Sequence, residues 1–195
     1  MFGGLLAGAR AAAVVLPIIF GREPVVIALL RASHLSEHAG EVGFPGGKPE
    51  TADADLRATA LREMEEEIGV SSADTTVLGV LTPTPVISGR WLIHPFVASI
   101  TAPPRITSAE ATRLVALPIA RHLDGSVRMQ SARSVFRGTE LLSPHFRHDG
   151  TVLYGASAYL YYELLVRVAA CMGRELPAPE LEEGLPWGAR YAEYG

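Results

Sequence analysis

The chain has 195 residues, 48% of them apolar, and a formal net charge of −4. That is enough apolar material for one sizeable core, and the acidic balance excludes the basic footprint of a protein that grips long nucleic acid. Its single cysteine, Cys171, excludes a disulfide framework or a Cys-rich zinc site and fits a reducing, cytoplasmic setting.

The opening run, MFGGLLAGARAAAVVLPIIF, has no basic leader and is interrupted by Arg10. Its unbroken apolar part, residues 11–20, is about half of a membrane span and reads as a core strand. GRE separates it from PVVIALLRA, a second β-branched run, which predicts a hairpin. SHLSEHAGEVGFPGG follows as a polar, Gly-rich loop ending in a breaker. Residues 55–68 hold no Gly or Pro and are rich in Ala, Leu, Arg and Glu, so they form a helix. Asp53 and Asp55 suit its N-terminus, and Gly69 its stop.

TTVLGVL and WLIHPFVASI read as two further strands, followed by the short polar piece SAEATR and the apolar run LVALPI. SVRMQSARSVFRG and TVLYG are weaker strand candidates, and residues 156–172 form a long late helix. Within it Glu163 and Arg167 stand four apart in the favourable order for an ion pair, which marks a mostly buried helix and not a membrane span. Cys171 falls on this helix and is expected in the core. The rest, residues 174–195, is rich in Pro, Gly and Glu and reads as a tail after one domain, residues 9–173. Paired strands with one helix midway and one late predict an α/β (α+β) fold, a mixed β-sheet covered by helices.

The middle helix carries REMEEEIG. At about 100° per residue, Glu63, Glu66 and Glu67 fall on one face, Leu61, Met64 and Ile68 on another, and Glu65 apart from both. Like charges four apart repel by about 0.2–0.5 kcal/mol. Converging carboxylates suit hard cations such as Mg²⁺ or Mn²⁺. The same run also reads as a solvated acidic face partnered by Arg57 and Arg62.

The stretch FPGGKPETADADLRATALREMEEEIGV resembles the Nudix signature: Gly, five residues, Glu, seven residues, then Arg-Glu-hydrophobic-x-Glu-Glu-x-Gly-hydrophobic. The second half is complete from Arg62 to Val70. In the first half Asp53 stands in place of Glu, and eight residues, not seven, separate it from Arg62. That departure, together with RASHLSEHAGEVGFPGG, resembles the coenzyme A pyrophosphatase branch. Arg31, Ala32, Gly40, Phe44, Pro45, Gly46 and Gly47 match that branch; Ser36 stands where it has a second Arg, and Glu41 where it has Gln.

The resemblance implies a Nudix-like α/β/α sandwich and a metal-dependent pyrophosphohydrolase. Glu63, Glu66 and Glu67 would be metal ligands for Mg²⁺ or Mn²⁺, and Gly46 or Gly47 would lend a backbone carbonyl. Arg62 would orient a carboxylate of the helix. The general base would be a glutamate of the helix or Glu110 in the later loop. Arg31 and His38 would contact substrate phosphate. The implied substrate is a small nucleoside diphosphate linked to another group: coenzyme A or acyl-CoA, cut to 3′,5′-ADP and (acyl-)4′-phosphopantetheine. ADP-ribose or a dinucleotide is the alternative, and a non-catalytic nucleotide sensor the second class. Isomerase chemistry on this fold needs a placed cysteine, which Cys171 in the late helix does not supply.

His34 and His38 lack a third ligand for a transition metal. His145, His148, Arg137 and Arg147 read as solvated loop residues, with substrate contact as the alternative. The tail aromatics Trp187, Tyr191 and Tyr194 admit packing on the domain or on a second subunit, so a homodimer is carried as an expectation, with no membrane partner.

Overall fold

The strand at the centre of the molecule, β1 (Arg10–Ile19), explains its own composition. Both of its faces are covered, so its sequence is a continuous apolar run and not an alternating one. Ala13 and Val15 pack into one core cluster, and Leu16 and Ile18 into the other.

The computed structural model of the chain describes residues 8–86, 88–136 and 139–185. The elements after β1 are β2 (Val25–Arg31), β3 (Val42–Gly43), β4 (Gly46–Gly47), α1 (Leu56–Ile68), a 3₁₀ turn (Ser72–Asp74) and β5 (Thr75–Val80). Next come β6 (Thr84–Pro85), β7 (Trp91–Ile100), β8 (Ala111–Pro118), α2 (Ile119–Leu123) and β9 (Gln130–Phe136). β10 (Thr139–His148), β11 (Thr151–Leu153), α3 (Gly155–Cys171) and β12 (Glu180–Glu182) complete the order. Arg137 and the tail aromatics Trp187, Tyr191 and Tyr194 lie outside the described residues.

The larger sheet runs β3-β2-β1-β7-β5, with β4 on β1, β6 on β7 and β8 on β2. β1 and β2 form the expected antiparallel hairpin. β1 and β7 run parallel, Arg10 opposite Trp91 through Ile18 opposite Ser99, which makes the sheet mixed. Helix α1 covers one face through Ala60, Met64 and Ile68. Helix α3 covers the other through Leu160, Tyr161, Leu164 and Leu165. The result is an α/β/α sandwich. Met64 and Ile68 are fully buried, each worth about 1.5–3 kcal/mol of apolar transfer. Leu61 packs at the edge of that cluster, and Glu65 is exposed.

A second, four-stranded sheet runs β11-β10-β9-β12. Its longest strand, β10, was not expected from the sequence; TELLSPHFRH holds a Pro and mixed polarity. His145 lies on this strand with no solvent exposure, so the loop reading of this region is corrected. Part of the segment expected as tail forms β12, which pairs parallel with β9. Cys171 is exposed at the end of α3, not in the core. The Glu163–Arg167 pair forms as expected, at 2.6 Å. Among the described residues no helix is long and apolar enough to cross a membrane.

Candidate active site

Helix α1 is built to place its glutamates. Asp55 caps its N-terminus, accepting from Ala58 N–H at 2.8 Å. Gly69 ends it in a left-handed conformation, φ 65°, and donates to Glu65 O. The last carbonyls, orphaned in an isolated helix, are met by the loop after β7. Thr107 Oγ1 donates to Glu66 O at 2.7 Å. Thr107 N donates to Glu67 O, and Arg105 N to Ile68 O. The same loop leads directly to Glu110.

The two glycines of β4 lie between β1 and α1. Gly46 has φ 157°, and a Cβ there would overlap the backbone of Ala13 and come within 2.6 Å of Val14 Cα. A Cβ on Gly47 would sit 2.5 Å from Glu63 Cδ. Only glycine lets the chain approach both neighbours this closely. The Gly46 N–H donates to Glu67 Oε2 at 3.0 Å.

Arg62 is the hub of the loop ahead of the helix. Its Nε and Nη2 grip Asp53 in a two-pronged pair, 3.0 and 3.1 Å, and Nη2 also donates to Lys48 O. Its Nη1 reaches Glu66 at 3.1 Å and Glu63 at 3.2 Å. Asp53 accepts further bonds from Glu50 N–H and Thr59 Oγ1. The Arg62 guanidinium, then the Glu50 N–H, hold its carboxyl well below the usual carboxylate range. Asp53 therefore reaches its partner despite its shorter side chain.

The electrostatics single out Glu67. Burial pushes its pKa up to about 7; the Gly46 N–H opposes the shift and the neighbouring Glu63 adds to it. Burial also raises Glu63, against the pull of Arg62. Glu110 accepts from Arg31 Nη2 at 3.3 Å. His38, with φ 57°, contacts Glu41 Oε2 through Nδ1 at 2.9 Å. That hydrogen bond holds the imidazole above its ordinary pKa despite partial burial.

One open cleft of about 1570 Å³ brings Arg31, His38, Gly46, Gly47, Glu63, Glu67 and Glu110 together. Arg62 and Glu66 do not line it; the Glu66 side chain is 56% exposed and turned to Arg62. Among the described residues no three His, Cys, Asp or Glu side chains already form a set that could hold a metal. The donors at hand are carboxylates and backbone carbonyls, all hard oxygens, which match Mg²⁺ or Mn²⁺ in kind.

Sequence reasoning passed over several cleft residues. Trp91 and Lys48 line its rim. Arg10 Cζ lies 4.4 Å and Lys48 Nζ 5.2 Å from the Trp91 ring centre. Lys48 directly follows the two glycines, which was a readable signal. Ser134, Ser143, Tyr159 and Leu185 line the far wall. Ser134 and Ser143 meet across the β9–β10 hairpin, Tyr159 stands on α3 and Leu185 follows β12, so only the tertiary arrangement brings them to one wall.

The NUDIX domain family matches residues 9–128. Curated relatives include an uncharacterized Nudix hydrolase, NudL, of Yersinia pestis (strain Pestoides F), 45% identical over 93 residues, which are 48% of this chain and 46% of the relative. The NudL protein of Yersinia pseudotuberculosis serotype O:1b (strain IP 31758) matches to the same extent. The chain thus spans about half the length of the curated relatives it matches. Among solved structures, a MutT/nudix family protein from Enterococcus faecalis has a TM-score of 0.48 at 14% identity, over 75% of this chain and 51% of that one. The NUDIX domain of Shewanella oneidensis NrtR, complexed with ADP ribose, has a TM-score of 0.47 at 20% identity, over 60% and 77%. With well over half of its length matched by that domain family, the chain belongs to the Nudix family.

Proposed function

We propose that the chain is a divalent-metal-dependent pyrophosphohydrolase that cleaves a nucleoside diphosphate linked to another group. The observation that carries this reading is geometric. Glu63 and Glu67, one helical turn apart, lie against the Gly46–Gly47 backbone in a wide cleft, with Arg31 and Glu110 beside them.

Glu63 and Glu67 would hold Mg²⁺ or Mn²⁺, joined by Glu66 and a carbonyl of Gly46 or Gly47. Bound there, such a cation neutralises phosphate oxygens and acidifies a coordinated water. Holding it competes with the grip of Arg62 on Glu63 and Glu66. Arg31 and His38, both cationic when they meet the substrate, orient the phosphates. The general base is Glu67 or Glu110. Burial places Glu67 at about 7 in the metal-free chain, so a bound cation would have to displace a proton there near neutrality. Glu110 is more exposed and is oriented by Arg31.

The substrate we favour is coenzyme A or an acyl derivative, cut to 3′,5′-ADP and (acyl-)4′-phosphopantetheine, in a reducing cytoplasm. Coenzyme A, ADP-ribose, dinucleotides and nucleoside triphosphates, each with Mg²⁺ and Mn²⁺, test the proposal. Metal-dependent hydrolysis of coenzyme A is expected to fall about 10²-fold or more in Glu67→Gln. Absence of metal-dependent hydrolysis across the panel would overturn the enzyme reading in favour of a nucleotide sensor. Undiminished turnover in Glu67→Gln would remove Glu67 from the site.

A further inference from the structure

The cleft has two chemically different walls. The wall made by residues up to 128 carries the charges: Arg31, His38, Lys48, Glu63, Glu67 and Glu110 among them. The opposite wall comes from the second sheet, α3 and the segment around β12. Among its described residues the charged ones are Arg133 and Glu163, and each stands near an opposite charge. Arg133 faces Glu140 at 3.9 Å. Glu163 accepts from Arg167 and from Thr82. Leu141, Leu160 and Leu185 supply its apolar surface, with serine and tyrosine side chains between them.

Three of its hydroxyls form a directed chain. Tyr159 OH donates to Leu142 O at 3.2 Å, since a carbonyl oxygen only accepts. The contact between Ser143 Oγ and Tyr159 OH, 3.2 Å, is therefore donated by Ser143. The 2.7 Å contact between the two serines is in turn donated by Ser134. All three hydroxyl hydrogens are committed, while each oxygen keeps lone-pair capacity. These three groups accept hydrogen bonds and have none to give. They suit amide N–H or hydroxyl groups on an uncharged chain, and are poor partners for a phosphate or carboxylate.

The wall is strapped shut by β12. Glu182 contacts His145 Nε2 at 2.6 Å and accepts from Arg147 at 2.6 Å, and Glu180 pairs with Arg128. Three residues beyond Glu182, Leu185 reaches the cleft.

We propose that this wall is the subsite for the non-nucleotide half of the substrate, and that it takes an extended, uncharged chain of alternating amide or hydroxyl and apolar groups. This rests on the pyrophosphohydrolase reading. The experiment compares kcat/KM for coenzyme A and ADP-ribose in the wild-type chain, Tyr159→Phe and Leu185→Asp, and measures binding of pantetheine, a neutral diamide, by calorimetry. The coenzyme A to ADP-ribose ratio is expected to fall about five- to tenfold in each variant, and pantetheine binding to weaken in parallel. Turnover with an unchanged ratio in both variants would overturn the subsite while leaving the enzyme reading intact. No turnover of either substrate would count against the enzyme reading. Pantetheine binding then decides for the subsite if the variants weaken it, and against it if there is none or it is unaffected.

Discussion

Replacing Glu67 by Gln should stabilise the metal-free protein at pH 8 while abolishing its response to divalent cations. The carboxyl is 8% exposed, and burial moves its pKa from 4.5 to about 7. The native state thus binds this proton more tightly than the unfolded chain does. The resulting stability is fully present below about pH 4.5 and is lost as the pH rises through 7. Ionising the group in the folded protein costs about 3 kcal/mol, at 1.36 kcal/mol per unit. Gln keeps the shape and still accepts from Gly46 N–H, but never ionises. At about 2–4 °C per kcal/mol for a chain of this size, the Tm of Glu67→Gln should exceed wild type by about 6–12 °C at pH 8 in chelator. The two should converge near pH 4.5. Added Mg²⁺ should raise the wild-type Tm and leave the variant unmoved. Thermal melts followed by circular dichroism read all three. A variant that melts below wild type at pH 8 in chelator would refute the claim that burial holds Glu67 against its own ionisation.

Two further outcomes concern the scaffold. Gly46→Ala should lower stability by at least about 2 kcal/mol, since the new Cβ meets the backbone of β1 and not a movable side chain; urea titration measures it. His122 is fully buried between Tyr161, Phe146 and the Pro118 carbonyl, and burial depresses its pKa to about 4. Its contribution is present above pH 6.5 and is lost as pH falls through 4, a change of up to about 3 kcal/mol. Unfolding free energies from urea titrations of wild type and His122→Gln should shift relative to one another by that amount between pH 7 and pH 4.

What the sequence disclosed follows the range of the interactions. Helix α1 was legible to within a residue because its cap, its stop and its apolar stripe are all local. The angular count put three glutamates on one face, but it did not see that Arg62 draws Glu66 outward while Gly46 holds Glu67 inward. Those outcomes depend on β4, fixed by pairing with β1 some thirty residues earlier. Strand β10 escaped because Ser143 and His145, polar in sequence, are buried against partners on β9, β12 and α3. For the same reason β12 reads as tail: its three residues become a strand only beside β9.

The parallel pairing of β1 with β7 sets the order in which the molecule can come into being. Arg10 and Trp91 face one another across eighty residues of intervening chain, a closure that carries a large entropic cost before any contact rewards it. Helix α1 can form early from its own caps, yet its buried stripe has no finished surface to dock on until β7 arrives. On a ribosome the glutamates are therefore made before the surface that places them, and the strap of the far wall, at Glu180–Glu182, is made later still.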